Sequence, residues 1–258
     1  MELLSIELTN KCKKACSFCY SSSVPTGTIA WNPRQLIDVL NDCHSFGLKA
    51  VSFGGGEPLE YEPLFDVLEA LNSNLYKSIT TNGLLLTDSL LERLARHINK
   101  IHVSIHFPEK ESEVLRVCRQ VRQIEEHDIK AGINFLVRKS QLDFAKKAAR
   151  IISEHRFKPE QIIWLPMRLI GDEPTPKELA SIATLVSPQF QTAYCLLSCK
   201  KSPRFASINC QQEVGWCSYT SSRTKVNPLT WDGLIKALQD LSLEYCGNRS
   251  LVQLKKAG

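Results

Sequence analysis

The run Thr9-Asn10-Lys11-Cys12-Lys13-Lys14-Ala15-Cys16-Ser17-Phe18-Cys19-Tyr20 places three cysteines at tight intervals. It follows directly on an apolar segment, Leu3-Leu4-Ser5-Ile6-Glu7-Leu8, that reads as a strand. Three thiolates on one loop can hold three corners of an iron–sulfur cube and leave the fourth iron without a protein ligand. An open metal position is where a substrate or cofactor enters. Spacing alone leaves two other readings: a zinc knuckle with a distant fourth ligand, or three unrelated buried thiols.

A second feature decides between them. Ser52-Phe53-Gly54-Gly55-Gly56-Glu57-Pro58 ends another apolar strand, Leu48 to Phe53. Consecutive glycines let the backbone approach a ligand closely, and a glutamate adds an acceptor for a cationic group. A glycine run alone is most often a tight turn. Cysteines spaced C-x3-C-x2-C with an aromatic before the last, followed by Gly-Gly-Glu-Pro, resemble the radical S-adenosylmethionine (SAM) superfamily over roughly the first 170 residues.

Composition agrees with an enzyme of that kind. A chain of 258 residues fits one barrel-sized domain with a modest extension. Its 32 basic and 27 acidic side chains leave a formal charge of +5, too small and scattered for a nucleic-acid stripe. Ten cysteines in so long and core-rich a chain read as metal binding in a reducing compartment, not as a disulfide miniprotein. There is no signal peptide and no apolar stretch near ~20 residues, so a cytoplasmic location and no membrane partner are expected.

Strand and helix patterns alternate roughly every 25 to 30 residues. Strands are expected at Leu3–Leu8, Leu48–Phe53, Tyr76–Thr80, Lys100–His106, Lys130–Val137 and Gln161–Met167. Helices are expected from Pro33 to about Phe46, then over about Glu62–Asn72, after Thr87, over Lys110–His127 and over Gln141–His155. Asn32 is a fitting cap, Pro33 suits the first helical position, and Gly47 is a stop. Such repeats with short loops demand parallel strands. Periodicity allows a doubly wound sheet equally well; the resemblance implies an α/β fold, a partial (β/α)6 TIM-like barrel over 1–187. Either architecture puts the ligand at the carboxyl ends of the strands.

The resemblance also implies roles. Cys12, Cys16 and Cys19 would ligate a [4Fe–4S] cluster whose open iron binds the amino and carboxylate groups of SAM. Cleavage of SAM would give a 5′-deoxyadenosyl radical that removes hydrogen from an unactivated carbon. Phe18 and Tyr20 lie where adenine is contacted or the cluster covered. Gly55, Gly56 and Glu57 would engage the methionyl ammonium group, and Asn82 joins this set. Ser104 and Asn134 would hold the carboxylate or ribose, with a hydrogen bond to nearby backbone the plain alternative. Arg168 would pair with the carboxylate through its bidentate fork, or be a simple ion pair. Lys11, Lys13 and Lys14 would offset cluster charge or dock an acidic electron donor of flavodoxin or ferredoxin type; their plain reading is a solvated loop. Of His102 and His106, one is expected to face the mouth. Cys43 and Cys118 fit helix cores, and His44, His97 and His127 read as structural.

From about Pro188 the pattern changes. The stretch 188–258 holds five of the ten cysteines, two short strands (Arg204–Asn209 and Glu213–Tyr219) and a helix from Trp231 to about Leu243. It is similar to the twitch or SPASM extensions of radical SAM enzymes, which implies an auxiliary cluster on Cys195, Cys199, Cys217 and Cys246, with Cys210 as a substitute. A glycine usual in that pattern is Gln212 here. A thiol hydrogen-atom donor, or buried small hydrophobes, are the other readings. The expected substrate is a peptide or protein side chain; carbohydrate or antibiotic chemistry, and glycyl-radical activation, remain open. The first strand begins near residue 3 and leaves no room for a leader-recognition module, so a separate recognition protein is expected.

Overall fold

The computed structural model describes residues 1–168, 171–192 and 200–243. Six strand–helix units run in order: β1 (Leu3–Glu7), α1 (Pro33–Ser45), β2 (Ala50–Gly54), α2 (Leu64–Ala70), β3 (Tyr76–Thr81), α3 (Asp88–Ala95), β4 (Lys100–Ile105), α4 (Glu111–Glu126), β5 (Lys130–Val137), α5 (Leu142–Glu154), β6 (Ile162–Pro166) and α6 (Pro176–Ala183). Then come β7 (Gln191–Thr192), β8 (Phe205–Ile208), β9 (Glu213–Gly215), β10 (Thr224–Lys225) and α7 (Trp231–Gln239). The sheet order is β10-β9-β8-β1-β2-β3-β4-β5-β6-β7, parallel from β8 through β7 and antiparallel for β8-β9-β10. It is an open barrel of parallel strands with helices outside. The strands after residue 187 continue the same sheet, because β8 bonds directly to the free edge of β1.

The helix caps follow the chemistry of the sequence. Asn32 accepts from the Gln35 N–H at 3.2 Å ahead of Pro33, and Thr87 accepts from Leu90 at 3.3 Å. Helix α2 is shorter than its apolar stripe suggests, because Pro63 opens it and Leu71 turns extended. Helix α6 is absent from the sequence reading, although Thr175-Pro176-Lys177-Glu178 is a full capping box with proline at the first position. The two-residue strands β7 and β10 are too short for periodicity to find, and β9 ends at Gly215, well before Tyr219.

The alternation of side chains sorts the sheet into two faces. Outward go Leu4, Ile6, Val51, Phe53, Ile79, Ile101, Val103, Ile105, Ile133 and Phe135, which form one core with Leu36, Val39, Val117, Val121 and Ala149 of the helices. Cys43 and Cys118 lie in that core, fully buried, as their helical positions suggested. The other face, toward the barrel interior, carries the polar residues Ser5, Ser52, Thr80, Ser104 and Asn134. No helix among the described residues is long and apolar enough to cross a membrane.

Arg156, just past α5, is exposed and sits at φ 53°, the left-handed conformation that glycine adopts freely. Arg156→Gly is expected to raise the stability by roughly 0.5–1 kcal/mol, read as a higher melting temperature. A lower one would show that the side chain makes up for its backbone strain.

Candidate active site

The loop after β1 folds back on itself. Its backbone pairs Thr9 with Ala30 and Lys11 with Val24, and the Cys12 N–H donates to the Val24 carbonyl at 3.0 Å. A turn closed by the Cys19 N–H on the Cys16 carbonyl (3.0 Å) brings the second and third cysteines together. Phe18 between them is buried, its ring centroid 5.4 Å from that of Phe107 and 5.0 Å from the Arg138 guanidinium. That anchor turns Cys16 and Cys19, with Cys12, toward one cavity of about 300 Å³ at the strands' carboxyl ends. All three thiols are free and half-buried. Burial pushes the Cys12 thiol above its ordinary range and Cys16 up to about 11. A metal binding there must therefore displace protons.

The glycine motif packs against this loop. Gly55 and Gly56 have φ of 63° and 59°, and a Cβ on either would run into Glu7 or into the carbonyls of Thr9 and Lys11. The Glu57 N–H donates to the Lys11 carbonyl at 2.9 Å. Its carboxylate is buried and accepts from the Thr81 hydroxyl (2.7 Å), the Asn82 N–H (2.8 Å) and the Leu59 N–H (3.1 Å). Desolvation nonetheless holds this carboxyl above its ordinary range. Asn82 then donates to the Cys12 sulfur at 3.6 Å and accepts from the Leu84 N–H.

Ser104 and Asn134, opposite each other on β4 and β5, line the cavity, as do Met167 and the buried Arg168. The Asn134 Oδ1 is buried with no partner. Tyr20 lies over Tyr219, ring centroids 4.9 Å apart, and both line the cavity with Ser218. His106 reaches the cavity, whereas His102 is buried behind it over Gly132. Among the proposed auxiliary ligands, Cys195, Cys199 and Cys246 lie outside the described residues. Cys217 is placed, its sulfur accepting from the Tyr219 N–H. Among the described residues no three metal-binding side chains stand close enough to hold an ion, Cys12, Cys16 and Cys19 included: these three share the cavity without being drawn together. Gln212 has φ 63°, a left-handed conformation that glycine adopts freely.

Several groups escaped the sequence reading. Lys14 is not a solvated loop residue: its ammonium meets Glu113 at 2.9 Å with the two side chains only 7% and 10% exposed. Arg223 reaches the carbonyls of Ser207, Glu213, Cys217, Ser218 and Thr220, and so shapes the turn that bears Ser218 and Tyr219. The serines at 5 and 52 left a signal, polar residues at alternate positions in apolar strands; the two ion-pairing partners left none.

An open parallel barrel that turns three thiols, a glycine–glutamate motif and a buried amide oxygen toward one cavity at its strand ends is the frame of an α/β enzyme built around a sulfur-ligated cofactor. The sequence model of the radical SAM superfamily matches residues 6–165, and the chain belongs to that superfamily. Its members use a [4Fe–4S] cluster with SAM. The three thiols and the orphaned Asn134 oxygen fit such a pair of ligands. A probable GTP 3',8-cyclase of Methanothermobacter marburgensis is 27% identical over 132 residues, 50% of this chain and 42% of that protein. A GTP 3',8-cyclase of Clostridium perfringens is 26% identical over 153 residues, 53% and 47% respectively. The matched region thus spans less than half the length of these curated relatives. Among solved structures, Streptococcus suis SuiB bound to precursor peptide SuiA has a TM-score of 0.71 at 18% identity, covering 92% of this chain and 64% of that one. Native anSMEcpe with bound AdoMet gives 0.67 at 18% identity, covering 92% and 81%. These two are similar in fold.

Glu7 sits behind the glycine motif, 3.9 Å from Arg223. Burial pushes its carboxyl up to about 7, with Arg223 opposing. Between about pH 4.5 and 7 the unfolded chain releases this proton while the folded chain keeps it, so stability falls as the pH rises through that window. Glu7→Gln is expected to be more stable than the wild type at pH 8 by on the order of 1 kcal/mol or more, with the gap closing at pH 5. Equal melting differences at both pH values would refute this.

Proposed function

We propose that this enzyme cleaves SAM at a [4Fe–4S] cluster held by Cys12, Cys16 and Cys19 and removes a hydrogen atom from a peptide or protein side chain. Bound together, cluster and SAM supply a 5′-deoxyadenosyl radical able to attack an unactivated carbon. The chain's own groups orient and shield. Phe18 and Tyr20 close over the cluster side, and Ser104, Asn134 and Arg168 hold the carboxylate and ribose of SAM. Gly55 and Gly56 let the motif lie flat on the cysteine loop. Glu57 has three protein donors on its carboxylate, which leaves one acceptor site for the methionyl ammonium group.

The observation that carries the substrate class is charge. Lys14 and Arg168 are the lysine and arginine of the cavity lining among the described residues, and Glu113 neutralises Lys14. Burial and Lys14 push His106 down to about 4, so it is neutral. A nucleoside triphosphate asks for several free cations; an uncharged side chain does not. The names of the curated relatives favour the second reading, a nucleotide substrate. Radical SAM enzymes need an electron donor, and a flavodoxin or ferredoxin fits that role. A separate recognition protein would present the peptide, and Cys217 would join an auxiliary cluster with the tail cysteines.

Anaerobically reconstituted protein is expected to bind roughly four irons, or roughly eight with an auxiliary cluster, and to form 5′-deoxyadenosine under strong reductant. Cys16→Ala is expected to reduce that product to background, and Cys217→Ala to remove only a second set of irons. Peptide substrates should stimulate cleavage and GTP should not; stimulation by GTP alone would overturn the peptide reading.

A further inference from the structure

We propose that Lys14 is a positioning residue: pinned by Glu113 and His106, its ammonium fixes the cysteine loop and sets a positive charge beside it that favours the reduced cluster. This rests on the reading of Cys12, Cys16 and Cys19 as cluster ligands.

The knot is compact. Lys14 Nζ lies 2.9 Å from Glu113 Oε1 and 3.1 Å from His106 Nδ1. The same Glu113 oxygen accepts from the backbone N–H groups of His106 (2.7 Å) and Phe107 (3.2 Å). The Phe107 ring sits 5.4 Å from the ammonium and packs against Phe18. One carboxylate in the first turn of α4 thereby ties the cysteine loop to the end of β4. Desolvating a lysine and a glutamate is costly, and an apolar side chain of similar length would fill the space at less expense. The retained charge has a use that packing lacks. Lys14 lies two residues from Cys12 and two from Cys16, and all three line the cavity. Glu113 offsets the ammonium overall, but Lys14 lines the cavity and Glu113 does not, so the positive end of the ion pair faces the thiols. At that depth its field is weakly screened. Reduction of the cluster brings in one electron from the donor and makes or breaks no bond, so the nearer positive end raises its potential.

Two measurements test this on Lys14→Met, Lys14→Arg, Glu113→Gln and the double variant Lys14→Met/Glu113→Gln. In metal-free protein, amide exchange over residues 12–20 is expected to be about tenfold faster in Lys14→Met, to stay near wild type in Lys14→Arg, and not to speed up further when Lys14→Met is added to Glu113→Gln. In reconstituted protein of equal iron content, the midpoint potential of Lys14→Met is expected to be more negative, with Lys14→Arg restoring it. A structural prop alone would move the exchange and leave the potential in place, and that result overturns the proposal. So does unchanged exchange in Lys14→Met. If the wild type binds no iron, the cluster reading fails, and the exchange data still decide whether Lys14 is pinned. If Lys14→Met does not fold, Glu113→Gln and Lys14→Arg carry the same comparison.

Discussion

Strand β1 is hydrogen-bonded in parallel on both sides, to β2 through five residue pairs and to β8 through four. A strand held this way cannot shift register without moving every inward side chain to the wrong face. The site depends on that register. The cysteine loop leaves from its end, Ser5 looks into the cavity, and Glu7 stands between the glycine motif and Arg223. Because β8 belongs to the extension, the part of the chain beyond residue 187 helps to fix the loop that carries the thiols.

The interior is unusually hydroxylated for a barrel, where branched apolar layers are the norm. Ser5, Ser52, Thr80 and Ser104 occupy inward positions on four neighbouring strands and leave space in place of a packed centre. Small polar side chains create the cavity, and the outward face alone carries the apolar core. Stability and reactivity are thus assigned to opposite faces of the same strands.

Much of this was legible in the chain itself. The open barrel came from the family resemblance carried by the cysteine spacing and the glycine–glutamate motif, while the alternation of patterns led to parallel strand–helix units, a local rule of backbone chemistry. The boundaries of β5 and the caps of α1 and α3 came out as read, for the same reason. What stayed hidden needed partners far apart in sequence. Lys14 finds Glu113 ninety-nine residues later, and Arg223 finds Glu7 from the far end of the described chain. Nothing local distinguishes a lysine bound for burial from one bound for water. Thr175 to Glu178 did carry a helix start, in a stretch where the apolar stripe of α6 is only eight residues long.

One contact fixes the prototropy of the cavity. An ammonium group offers three hydrogens and no lone pair, so the His106 nitrogen it touches at 3.1 Å must supply the electrons. The ring's single hydrogen then resides on Nε2, and the imidazole meets its surroundings there as an N–H, never as a sink for protons. Any step that strips a proton from a substrate has to deliver it elsewhere.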